Sequence, residues 1–426
     1  MNTVAVLKLT LHHGVVGYLA GFQSGKNILV FTDSFRFDQQ RETLSLLTSP
    51  LYPQADKVLE KTYVTHQRLH PLLSNLLPEG ALRELIAQIH IDNEFQLLAT
   101  LGHDLPGALI ATPLDPEEIP DEIKFKLQIS NPDQILKQEI RTDNKFSLAG
   151  IQMKFSMKAK DGRFTLAQAT ESSLLGDWII KTPSSRHAFV PLNEYSMMTL
   201  AKMVGIDVPE IRLVDMALLQ DLPPLNLPQE QYAFAIKRFD RQSTANTTEL
   251  IHIEDFAQIF GAYPHQKYST TNYEQIGKII YQYSDNKIFD IQQFASRLLI
   301  NILLANGDAH LKNWSMIYHD KRTPRLSPAY DILMTSVYIE NERHFALNLA
   351  KNKDWYLAEM KHFEQWAKKV GVPWRVIEKQ LHEIMDKARS VWPALLLDLP
   401  MGSAHKEKLR EHWQKLHPNF QILAND

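Results

Sequence analysis

Asp308 and Asn313 stand five residues apart in Gly307-Asp308-Ala309-His310-Leu311-Lys312-Asn313, with a His and a Lys between them. Farther on, Ser327-Pro328-Ala329-Tyr330-Asp331 supplies a second isolated Asp. Phosphoryl transfer from a nucleotide needs these residue types at this spacing. One carboxylate must reach the attacking hydroxyl, and an amide and a second carboxylate must grip the metal ions that neutralise the phosphates. Taken alone, the stretch also suits a helix end running into a loop, where Gly, Asp and Asn serve turns.

Three upstream features would complete such a site. Ser147-Leu148-Ala149-Gly150-Ile151-Gln152-Met153-Lys154 lies between two strand candidates and carries one Gly. It can cover phosphates or be a plain β-turn; it is neither a G-x-G-x-x-G loop nor a Walker motif. Lys181 ends the apolar run Trp178-Ile179-Ile180, where it could meet phosphates or sit as a solvated edge charge. Glu194 opens the next helix, where an acid either holds that lysine or simply suits the helix dipole.

These residues need elements to position them. Residues 3–11, 15–22 and 27–32 read as strands of a small antiparallel sheet, with Ala5, Leu7, Leu9 and Leu11 on one face and Val4, Val6 and Lys8 on the other. One helix is expected from Pro78 through Ile89, and another from an Asp92 cap through Leu101, stopped by Gly102. The Pro-, Asp- and Glu-rich stretch 111–122 predicts a linker. Short strands are expected at 145–148, 154–157, 164–167, 178–181, 211–214 and 232–239, interrupted by a helix at 192–204 that Gly205 stops. A Pro-rich hairpin loop is expected at 221–230. Beyond 250, helices are expected at 253–260, 273–283, 290–304, 374–388 and 404–416. A β-rich half followed by a helical half is the order of a bilobal kinase.

A chain of 426 residues implies two or three domains. Its net charge of −3 argues against a strongly basic nucleic-acid binder. The lack of cysteine excludes disulfides and thiolate metal sites and fits an intracellular location. Lys8, His12 and His13 break up the first apolar residues, so no signal peptide is expected. No apolar run approaches the ~18 residues of a membrane span. His66 and His70 fall at helical spacing without the Glu or third ligand of a zinc site. The tryptophans read as core.

The ordered set Ser147–Lys154, Ile180-Lys181, Asn193-Glu194, Arg238-Phe239-Asp240-Arg241, Glu254-Asp255-Phe256, Gly307–Asn313 and Tyr330-Asp331, preceded by Leu76-Leu77-Pro78-Glu79-Gly80, Leu101-Gly102 and Gly107-Ala108-Leu109, resembles the HipA family, serine/threonine-kinase toxins of bacterial toxin–antitoxin pairs. The resemblance covers nearly the whole chain. It implies an α+β, bilobal protein-kinase-like fold: a HipA-like N-terminal module at 1–110, a β-rich N-lobe at 111–245 and an all-helical C-lobe at 246–426. It makes Asp308 the catalytic base and Asn313 and Asp331 the magnesium ligands. ATP would meet Lys181, the hinge Lys237, Arg238 and Phe239, the catalytic-loop residues His310, Leu311 and Lys312, and Tyr330. Gly150, Ile151, Gln152, Met153 and Lys154 would cover its phosphates, and Ala149 would also meet the nucleotide. Ser147 falls where the family autophosphorylates to switch itself off. Met153 departs from the acidic residue or proline more usual there.

The resemblance further implies ATP and magnesium as cofactors, a HipB-like helix-turn-helix antitoxin, DNA contact only through that partner, no membrane and a cytoplasmic location. The family's best-known target is glutamyl-tRNA synthetase. Two alternatives stand beside the protein kinase: a non-catalytic corepressor that binds an antitoxin, and a lipid kinase of the phosphatidylinositol type, whose D-x-H order is similar.

Overall fold

The structure, a computed structural model, describes residues 4–79, 93–129, 135, 153–166, 175–223, 227–243 and 248–423. Ser147, Ala149, Gly150, Ile151, Gln152, the 145–148 strand and the helix expected from Pro78 through Ile89 fall mostly or wholly outside them. The chain forms two compact units. One holds residues 1–179, 240–264 and 317–323; the other holds 180–239, 265–316 and 324–426.

The first unit is built on a five-stranded antiparallel sheet in the order Tyr63–His66, Lys26–Phe31, Gly14–Phe22, Val4–Leu11, Leu109–Pro113. Alternation along Val4–Leu11 feeds two cores. Ala5, Leu7, Leu9 and Leu11 pack with Phe95 and Leu98 of the helix Glu94–Leu101. Val4 and Val6 pack on the opposite face with Ile119, Ile123 and Leu127. Each such Val, Leu, Ile or Phe side chain contributes roughly 1.5–3 kcal/mol by leaving water. The linker expected at 111–122 is therefore partly strand: Ala111 pairs with Leu9, and Pro113 lies at the strand's end, where a missing N–H is tolerated. The helix Asp121–Lys126 follows it.

The cap of Glu94–Leu101 is Asn93, whose side chain accepts from the Gln96 N–H, not Asp92. Gly102 does follow this helix, but its φ is −60°. A Cβ there would lie 2.3 Å from the Ala111 carbonyl oxygen, so close approach requires the glycine. His66 ends a strand, while His70 caps a separate short helix through Nδ1. They do not share a helix face.

Several motif residues of this unit form a buried lock. The Arg241 guanidinium donates to the carbonyls of Gly107 (2.8 Å) and Leu105 (2.7 Å) and to the carboxylates of Asp104 and Asp240, both at 2.9 Å. Asp240 also accepts from the Gly107 N–H. These acids are held structurally. The helix expected at 253–260 is a strand, His252–Asp255, followed by the short helix Phe256–Ile259. The strand's buried positions are polar, His252 and Glu254, which hides its alternation from a hydrophobic pattern. Glu254 accepts from the Leu46 N–H at 2.6 Å and from the Tyr318 hydroxyl.

In the second unit, Ile211–Asp215 pairs antiparallel with Tyr232–Lys237, and the helix Val190–Met203 packs on both. The helices Tyr273–Tyr283, Lys287–Leu303, Met360–Val370, Trp374–Asp398 and Ser403–Lys415 build the rest. Phe294 anchors them, its ring 4.6 Å from that of Trp314 and 5.8 Å from that of Trp366. The C-terminal half is not all helical: His344–Leu349 and Asn352–Asp354 form a hairpin. Its turn uses Ala350 and Lys351 at φ of 51° and 71°. It lacks the Asn-Gly or Asp-Gly signature that would announce such a turn. No described helix is long and apolar enough to cross a membrane.

Two buried histidines make stability pH-dependent. His252 and His412 each bond a backbone carbonyl at 2.7 Å, and burial pushes both down to about 4. Their folded pKa lies below the unfolded value, so their stabilisation is full above about pH 6.5 and is lost as pH falls toward 4. Glu254, raised to about 7 by burial, has the opposite sign over a similar window, so the wild-type slope alone is not diagnostic. His412→Gln isolates the effect. Relative to wild type, the variant should gain about 2 kcal/mol between pH 7 and 5 in urea unfolding. A pH-independent difference would rule this out.

Candidate active site

Lys181 ends the strand Trp178–Lys181, and 96% of its surface is buried, so the edge-charge reading fails. Its ammonium bonds both Glu194, near the start of Val190–Met203, and Asp331. Burial alone would push the lysine down, but the Asp331 and Glu194 carboxylates outweigh it and raise its pKa, keeping it charged. Asp331 sits at φ of 54°, a left-handed backbone that a non-glycine residue adopts at a cost, aiming its carboxylate at Lys181.

The segment bearing Asp331 is fixed to the same helix. The Asn193 amide donates to the Met334 carbonyl and accepts the Met334 N–H, both at 3.0 Å. Tyr330 is tied to the stretch that follows Asp308: its hydroxyl meets the Lys312 carbonyl at 3.0 Å and the Ser315 hydroxyl at 2.5 Å. Its ring lies 5.7 Å from that of Phe239. Of the other expected hinge residues, Arg238 is buried. The Lys237 side chain is exposed, with its ammonium 4.0 Å from Glu210.

The loop after Lys287–Leu303 is bonded at nearly every residue. Asn306 accepts from the Asp308 N–H at 3.1 Å, and Thr335 accepts from the Gly307 N–H at 2.8 Å. The His310 N–H and the Asn313 side-chain amide both donate to the Asp308 carbonyl, at 2.7 and 2.8 Å. The Leu311 N–H reaches the Lys267 carbonyl at 3.3 Å. Asn313 thus commits its amide nitrogen to the loop, which leaves its oxygen as the donor suited to a cation. The Asp308 carboxylate accepts from the Tyr268 hydroxyl at 2.5 Å. Nearby Glu342 accepts from Thr335 at 2.5 Å; burial, reinforced by the Asp308 charge, pushes it up to about 7.

The structure thus brings Lys181, Glu194 and Asp331 together, and separately Asp308, His310 and Asn313. Met153 and Lys154 belong to the other compact unit, where Met153 packs against the N-terminal core. Tyr268, Asn306, Thr335 and Glu342 escaped sequence reasoning. None carries a motif, and only the fold brings Tyr268 and Glu342 to the loop.

Hard oxygen donors and a charged lysine, set on strand, helix and a tightly bonded loop within an α+β scaffold, define a protein-kinase-like class. The HipA-like C-terminal domain family matches residues 146–392, and the HipA N-terminal domain family matches residues 7–112. The chain belongs to the HipA family of kinases. It is 36% identical over 416 residues to Y4dM of Sinorhizobium fredii, covering 97% of each chain. It is 25% identical over 429 residues to the serine/threonine-protein kinase toxin HipA of Shewanella oneidensis, covering 94% of this chain and 92% of that one. The solved HipA–HipB–operator DNA complex of that organism holds a chain with the same fold, at a TM-score of 0.69, 21% identity and coverage of 95% and 94%.

Proposed function

We propose that this chain is a Mg-ATP-dependent serine/threonine protein kinase and the toxin of a toxin–antitoxin pair. The observation that carries the reading is the buried Lys181 held between Glu194 and Asp331. A pure binding module gains nothing from that costly arrangement. Asp308 is assigned as the base that orients the acceptor hydroxyl, and Lys181 as the phosphate contact. Phe239 and Tyr330 are assigned to the adenine side with Lys237 and Arg238, and His310, Leu311 and Lys312 to the nucleotide. The donor set fits magnesium, which is held by one or two carboxylates or amides plus phosphate oxygens and water. Asn313 and Asp331 would hold it, and when bound it would neutralise phosphate charge.

Resemblance to the family further supports Gly150–Lys154 as the phosphate-covering loop and Ser147 as a self-inactivating phosphorylation site. It also supports 1–110, 111–245 and 246–426 as the functional division. A HipB-like antitoxin is the proposed partner, with DNA reached only through it. A protein hydroxyl, on an aminoacyl-tRNA synthetase for example, is the proposed target. The test is Mg-dependent phosphate incorporation by the purified chain, with mass spectrometry reading Ser147. Asp331→Asn removes one charged metal ligand and should weaken Mg-dependent ATP affinity at least tenfold, with Mg-independent binding little changed. Unchanged affinity in calorimetry would count against the metal assignment.

A further inference from the structure

Tyr268 is 41% exposed, yet its hydroxyl donates to Oδ1 of Asp308 at 2.5 Å. Its ring stands edge-on to His310, with centroids 5.0 Å apart and planes at 81°. The preceding residue accepts the Leu311 N–H, so the segment around Tyr268 is bonded to the same loop it touches. The segment is also internally tied: the Ser269 N–H and the Thr270 hydroxyl return to the Gln266 carbonyl at 3.1 and 2.9 Å. A carboxylate's terminal torsion is broad and roughly two-fold, so an aspartate does not hold one orientation unaided. A phenol donating to an ionised carboxylate makes a short, charge-assisted bond that fixes it.

We propose that Tyr268 is a positioning residue for phosphoryl transfer. By holding Oδ1, it fixes the rotation of the Asp308 carboxylate with respect to the acceptor hydroxyl. The bond to Oδ1 and the wedge against His310 act together, one setting the carboxylate's rotation and the other the loop beneath it. This rests on Asp308 being the base. A positioned base contributes through orientation, so a small rotational freedom is costly to the rate and neutral to nucleotide binding.

Tyr268→Phe removes the hydroxyl and keeps the ring. The test measures ADP release and transfer of labelled γ-phosphate to dephosphorylated casein at saturating magnesium, with thermal unfolding alongside. The expected result is a kcat lower by about tenfold or more, a KM for ATP within about twofold of wild type, and an unchanged unfolding midpoint. An unchanged kcat overturns the proposal. A raised kcat also overturns it, because the hydroxyl would then be competing with the acceptor. A parallel loss of kcat, ATP affinity and thermal midpoint assigns Tyr268 to structure alone and overturns it too. A wild-type protein with no ATP turnover defeats the kinase reading itself. An active wild type with an indifferent Phe variant defeats only the role of Tyr268.

Discussion

Asp308→Asn should yield a folded protein that still binds Mg-ATP but transfers almost no phosphate, if Asp308 is the proposed base. The substitution keeps the side chain's shape and an Oδ1 acceptor for Tyr268. The loop is held by the backbone N–H and carbonyl of residue 308, bonded to Asn306, His310 and Asn313, and these survive. What is lost is the negative charge that, in the proposed role, orients the acceptor hydroxyl and takes its proton. Losing a positioned base costs on the order of a hundredfold to ten-thousandfold in rate. Single-turnover transfer and ATP calorimetry on the same preparation decide it. Near-wild-type transfer would remove Asp308 from the mechanism, whereas lost ATP binding would mean the residue holds nucleotide instead.

Lys181→Met should damage both fold and ligand binding. It leaves the Glu194 carboxylate, 1% exposed, and the Asp331 carboxylate without the cation between them. Removing one partner of a buried ion pair costs roughly 3–5 kcal/mol. Lys181→Met combined with Glu194→Gln removes one stranded charge. It should regain much of the stability while ATP affinity stays low. Urea unfolding of wild type, single and double variants, paired with ATP titration, separates the two effects. Equal stability of wild type and Lys181→Met would show that the buried cluster contributes little to the fold.

Local elements were legible where spacing alone determines them. Trp178–Lys181 and Tyr273–Tyr283 form a strand and a helix at the expected positions. Where polar residues occupy buried positions, the pattern misleads, as at His252 and Glu254. Where a turn uses Ala350 and Lys351 in place of glycine, it is silent. The candidate site divides in the same way. Asp308, His310 and Asn313 are close in sequence, so their spacing is visible. Lys181 and Asp331 lie 150 residues apart, and Tyr268 and Asp308 lie 40 apart. No local rule pairs such positions, and only the folded chain shows that Lys181 is buried and doubly bonded.

The Asn193 side chain makes with Met334 the two hydrogen bonds that an adjoining strand's backbone would make. One residue along the helix is Glu194, and three residues before Met334 is Asp331. The helix and the Asp331 segment are thereby riveted into a single part. An off-state reached by swinging this helix outward, taking Glu194 from Lys181, cannot leave Asp331 behind. It must either carry that carboxylate along or break both amide bonds. A small molecule that wedges the helix away would thus dismantle the footing of Asp331, the proposed metal ligand, as well as the ion pair, and would meet a correspondingly stiffer resistance.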